Sequence, residues 1–153
     1  RPSARETHAR VAARANAQKY LKEKLGISFI SYVQQVGDIK TDIDYRSVTR
    51  DQVESSIVRC PDPKVAQKMI TLIEKVRDVG DSVGGIIRGV IKNVPVGLGE
   101  PVFDKLSADL GKAMLSINAV KGFDIGSGFD GVAMRGSEHN DEFVIDGKKQ
   151  NKC

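Results

Sequence analysis

Apolar positions in the first part of the chain recur at helical spacing. Val11, Ala12, Ala15, Ala17, Leu21 and Leu25 suit one long helix from Ala4 to Leu25, with Gly26 as its stop. Small side chains on that helix predict a close approach to another element. The period then changes, and Ile27 to Val36, ISFISYVQQV, is β-branched and aromatic, so it reads as a strand that Gly37-Asp38 ends. Thr49 stands three residues before Gln52, the spacing of a capping box, and predicts a short helix. Asp62 as a cap before Pro63 predicts a sharper start for a helix striped by Val65, Ala66, Met69, Ile70, Ile73 and Val76, closing at Gly80. The Val- and Ile-rich run up to Pro95 predicts a second long strand. Its Gly84, Gly85 and Gly89 are costly there unless something packs closely against the backbone.

Past Pro95 the signals are looser. Pro101 predicts the opening of a helix whose apolar side carries Phe103, Leu106, Leu110, Ala113 and Met114. Gly97-Leu98-Gly99 lacks the third glycine of a dinucleotide loop and has Pro101 just after it, so it reads as a strand-to-helix turn. From Asn118 the chain becomes glycine-rich and polar, predicting a strand followed by an ordered loop region. Asp146-Gly147 predicts a hairpin turn. Helix, strand, helices, strand, helix, strand is an order that leaves α+β and α/β both open.

Composition narrows the function classes. The 153 residues are 40% hydrophobic and 29% charged, ordinary for a soluble globular domain and unlike a disordered chain. Tryptophan is absent and aromatics are 5%, so the core is expected to be aliphatic. A net charge of +4 leans towards anionic partners. A small anion accounts for it as well as nucleic acid does. The scarcity of stacking aromatics and of any basic run argues against nucleic acid. No apolar run reaches the roughly 18 residues of a membrane span, so no membrane partner is expected. Cys60 and Cys153 form no metal-ligand cluster, and their small number points to a reducing, cytoplasmic compartment.

The candidate chemistry gathers at the start. In RPSARET, Ser3 can cap the helix with Glu6 completing a capping box, while the same helix start presents free N–H groups that suit a phosphate. Arg1 and Arg5 would add charge-assisted bonds. His8 is expected to face solvent. His139 sits among Ser137, Glu138, Asn140 and Asp141, which is suggestive but is not a catalytic triad.

Read together, RPSARETHARVAA, RCPDP, GDSVGG, the long block from Pro95 to Phe129 and GSEHNDEF closely resemble chorismate synthase, in that family's order and spacing. The resemblance implies an α+β fold, helices packed with antiparallel β-sheets in a β-α sandwich, of which this chain is the central part. Residues 1–153 would be a single segment of a chain more than twice as long, cut inside one cofactor motif. It implies a phosphate lyase that converts 5-enolpyruvylshikimate 3-phosphate to chorismate, with reduced FMN required and NADPH as a candidate reductant, in a homotetramer. Flavin contacts carry over to Arg1, Pro2 and Ser3, and a second set to Asn118 and Ala119. Arg5 is added here as a candidate phosphate partner. The catalytic histidine, further arginines and an acidic residue of the family are expected outside this segment, and no metal is expected. Arg14 departs from the family, which usually has glycine there.

Overall fold

The computed structural model describes residues 5–140. Among these, Ala12–Pro95 forms one compact unit, and residues 5–11 together with 96–140 form another.

In the first unit, β1 (Ser28–Val36) is the centre of a three-stranded antiparallel sheet ordered β2-β1-β3, with β2 at Ile39–Lys40 and β3 at Gly85–Lys92. The register pairs Ile30 with Val90, Tyr32 with Arg88 and Val33 with Ile87, then Gln35 with Ile86 and Val36 with Gly85. Gln34 is therefore an extra residue, a β-bulge. Strict alternation would send Val33 and Val36 to opposite faces. With Gln34 inserted they share a face, where they pack with Cys60, Ala66 and Met69. The bulge is tied down, since Thr41 N–H donates to the Gln34 carbonyl at 2.9 Å. On the other face Ile30, Tyr32 and Val90 pack with Val48, Val53 and Tyr45.

The helices of this unit begin where local chemistry directs. Thr49 caps α2 (Arg50–Glu54): Gln52 N–H donates to its hydroxyl at 3.3 Å, and Thr49 N–H donates to the Gln52 side-chain oxygen at 2.8 Å. Asp62 caps α3 (Pro63–Asp78), accepting from Lys64 N–H at 2.8 Å and Val65 N–H at 3.2 Å. Gly80, at φ +72°, ends that helix in the left-handed conformation glycine adopts freely. Along the expected stripe Ala66 and Met69 are buried, whereas Ile73 is exposed. Asp62→Ala should lower unfolding stability by about 1 kcal/mol while Asp62→Asn keeps most of it; urea denaturation of the two variants makes the comparison.

Cys60 and Tyr32 are both almost fully buried. Burial pushes the Cys60 thiol up, and burial likewise pushes the Tyr32 phenol up against the opposing effect of the nearby Arg88 guanidinium. Each group holds its proton more tightly folded than unfolded. Stability is therefore full below about pH 8.5 and falls as pH climbs through the raised thiol and then the raised phenol. In a Cys153→Ser background, Cys60 should resist a thiol reagent until denaturant is added; labelling at the rate of a free thiol would contradict its burial.

Three expectations are corrected. The long helix α1 (Arg5–Leu25) forms, but it has no buried residue, and Val11, Tyr20 and Leu25 are more than half exposed. Its small side chains meet no closely packed partner among the described residues. α4 runs from Leu106 to Leu115 and does not open at Pro101. Glu100 N–H instead donates to the Asp104 carbonyl at 2.8 Å and Gly99 bridges Lys105, which folds 99–105 back on itself and leaves Phe103 outside the helix. Among the described residues after Ile117 there is no strand, only a 3-10 helix (Gly128–Ala133) and α5 (Gly136–His139). The Asp124 carboxylate accepts from Ile125 N–H at 3.2 Å and Phe129 N–H at 3.1 Å, taking donors that a ladder would need. The Ser3 cap and the Asp146-Gly147 hairpin lie outside the described residues.

Candidate functional site

Of the sequence-assigned residues, Arg1, Pro2 and Ser3 lie outside the described residues. Arg5 is the first residue of α1 and is exposed. Asn118 and Ala119 occupy the turn that follows α4, both exposed. Two of the stretches meet: Arg10 of α1 donates from its guanidinium to Ser116 Oγ at 2.9 Å. Arg10 lies about 7.5 Å along the helix from Arg5 at 1.5 Å per residue. Ser116 is two residues before Asn118, and its own hydroxyl donates to the Ala113 carbonyl at 2.6 Å, which fixes it at the end of α4.

The turn itself is unusual. Ala119 has φ +68°, a left-handed conformation that costs a non-glycine residue roughly 1–2 kcal/mol. Val120 N–H donates back to Ile117 at 3.2 Å and closes the turn. Among the described residues, the Asn118 side-chain amide and the N–H groups of Asn118 and Ala119 meet no hydrogen-bond partner. Exposed donors on a strained turn match what the phosphate or the polar ring edge of a flavin requires, so the described residues of this pair fit such a group.

A second pair escaped sequence reasoning. Ser127 Oγ and His139 Nε2 are 2.5 Å apart, joining the glycine-rich loop to α5. Gly131 packs against both groups, and a Cβ there would lie 3.2 Å from the hydroxyl. The arrangement does not make a nucleophile. Nearby N–H groups that could form an oxyanion hole are spent: Gly128 on Ile125, Phe129 on Asp124 and Asp130 on Ser127. No carboxylate among the described residues orients the other ring nitrogen. The two stand twelve positions apart with a 3-10 helix between them, which hides the pair from spacing arguments. His8, by contrast, is exposed as expected, with Nδ1 3.3 Å from the Arg5 carbonyl. Among the described residues no cluster of His, Cys, Asp or Glu could hold a metal ion, and no helix is long and apolar enough to cross a membrane.

Comparison with known proteins decides the kinship. The chorismate synthase family model matches residues 1–153, the whole chain. The chain belongs to the chorismate synthase family. It is 55% identical over 146 residues to a chorismate synthase of Trichodesmium erythraeum, covering 95% of this chain and 40% of that one. It is 56% identical over 150 residues to one from Christiangramia forsetii, covering 98% and 42%. A crystal structure of chorismate synthase superposes with a TM-score of 0.83 at 34% identity, over 96% of this chain and 48% of that one. The mixed fold of helices and antiparallel sheet is thus the chorismate synthase fold in part. The chain spans about two-fifths of the length of the curated relatives it matches. The family itself is one of lyases of aromatic amino acid biosynthesis.

Proposed function

We propose that residues 1–153 are a continuous central segment of a chorismate synthase that eliminates phosphate from 5-enolpyruvylshikimate 3-phosphate to give chorismate. The observation that carries the reading is the Arg10–Ser116 hydrogen bond, which holds the helix bearing the opening motif beside the Asn118-Ala119 turn. The start of the helix that follows the first stretch assigned to FMN and the turn that carries the second, far apart in sequence, lie in one compact unit, which supports the reading.

In this reading the donors of the Asn118-Ala119 turn bind and orient the cofactor, and Arg1 to Ser3 complete its contacts. Arg1 and Arg5 balance anionic charge on cofactor and substrate phosphate. Held by these residues, reduced flavin would supply electron density to ease phosphate departure, with no net oxidation. The Arg10–Ser116 bond is a positioning contact. NADPH as reductant, a homotetrameric assembly and a cytoplasmic setting complete the proposal.

Phosphate release by the full-length parent enzyme, assayed anaerobically with and without reduced FMN, tests it. Release should require the flavin, and Asn118→Ala should weaken FMN binding by about tenfold, as expected for losing one or two hydrogen bonds. Flavin-indifferent release would reject the mechanism. The 153-residue chain alone should bind flavin weakly at most and make no chorismate, because the groups expected to donate protons lie elsewhere in the parent.

A further inference from the structure

We propose that the sheet face carrying Tyr32 holds a site for a small phosphate-bearing anion, formed by the guanidinium groups of Arg46 and Arg88 and the ammonium group of Lys92. Arg88 lies directly across from Tyr32 in the β1–β3 ladder, and Lys92, four residues along, emerges on the same face. The loop between β2 and α2 folds over that face and places the half-buried Tyr45 beside them. Arg88 lies 5.5 Å and Arg46 5.6 Å from the Tyr45 ring centre, both inside the roughly 6 Å range of a cation–π contact. Lys92 Nζ donates to the Arg46 carbonyl at 2.7 Å, which draws the third cation to the same loop.

These cations are held in place by a ring and a carbonyl and not by acids. Among the described residues none of the three is in an ion pair, whereas Arg50, Arg59 and Arg77 all are. The acidic neighbour is Asp44, whose carboxylate is engaged by Arg46 N–H at 3.0 Å. Arg88 and Lys92 are themselves half-buried, so their side chains have lost freedom before any ligand arrives. Three gathered cations outside any ion pair, two of them planar forks and with Asp44 as the acid beside them, suit the oxygens of a phosphate or diphosphate. Nucleic acid fits less well, because the patch is short and the one aromatic ring at its centre is already covered by guanidinium groups.

The test is a titration of the 153-residue chain with inorganic pyrophosphate at constant ionic strength, followed by backbone amide shifts. Saturable shifts at Tyr45, Arg46, Arg88 and Lys92 are expected, with sodium chloride of matched ionic strength giving none. Arg46→Gln with Arg88→Gln should weaken binding at least tenfold, Lys92→Gln should weaken it severalfold if the double variant fails to fold, and Arg77→Gln should leave it unchanged. Absence of saturable shifts at these residues, equal displacement by chloride, or full affinity in the Lys92→Gln variant would overturn the site. Tighter binding of a single-stranded oligonucleotide than of pyrophosphate would overturn its assignment to a small anion.

Discussion

Met69→Ala is expected to lower the unfolding free energy by about 2–5 kcal/mol, the usual range for truncating a large buried aliphatic side chain. Met69 is 0% exposed and sits between α3 and the sheet, against Val36, Cys60 and Ala66. Its removal takes away both transfer free energy and contacts, because the walls are a helix and a sheet that cannot easily close on the space. Met69→Leu, close in volume, should cost less than about 1.5 kcal/mol. Urea unfolding monitored by circular dichroism checks both. A loss below 1 kcal/mol for the alanine variant would mean that α3 is not seated on β1 as described.

Gly85→Ala should be the second most damaging change, at about 1–3 kcal/mol, the range for forcing atoms into a close-packed place. A Cβ at Gly85 would lie 2.6 Å from the Gln35 carbonyl oxygen. That oxygen is backbone, so relief requires β1 and β3 to separate beside Val36 and the core around it. Gly84 and Gly89 supply internal controls. Neither would bring a Cβ within 4 Å of anything, and neither has a positive φ. Their alanine variants should change stability by no more than about 0.5 kcal/mol, so equal effects at all three positions would contradict the register.

The sequence carried the parts of the fold whose cause is local. Thr49 with Gln52, and Asp62 with Pro63, satisfy free amides within one helical turn, so spacing alone reveals them. The two long strands were legible because β-branched residues leave few other readings. The start of α4 was not, since Pro101 resembles a first helical residue while the bridge from Gly99 to Lys105 that overrides it is absent from any helix pattern. The strand expected after Asn118 failed for a related reason: Asp124 captures amides locally, and glycine-rich chain offers few side chains to pin a ladder. Gln34 left one trace, the break in alternation between Val33 and Val36, which reads as noise until the register explains it.

The candidate site divides in the same way. Asn118 and Ala119 were found through family resemblance, but the left-handed turn that frees their amides is visible only in the backbone. Neither Arg10 with Ser116 nor Ser127 with His139 could be paired by spacing, because each depends on where distant segments arrive. The Tyr45 cluster depends on a cross-strand register in the same way.

The bulge also makes the length of β1 as meaningful as its composition. Sidedness along a regular strand changes with every residue added or removed, and the bulge absorbs Gln34 as an uncounted step, so that Val36 keeps the face of Val33. Many side chains could occupy that place, since its carbonyl and not its amide side chain is what Thr41 grips. Deletion of Gln34 would leave Val33, Gln35 and Val36 in plain alternation with Val36 still facing α3, whereas flattening the bulge with Gln34 retained would turn that valine to the tyrosine face. Position 34 is the residue the ladder does not count: its identity is free, and what its deletion would cost is the grip of Thr41 on its carbonyl and not the sidedness of the strand.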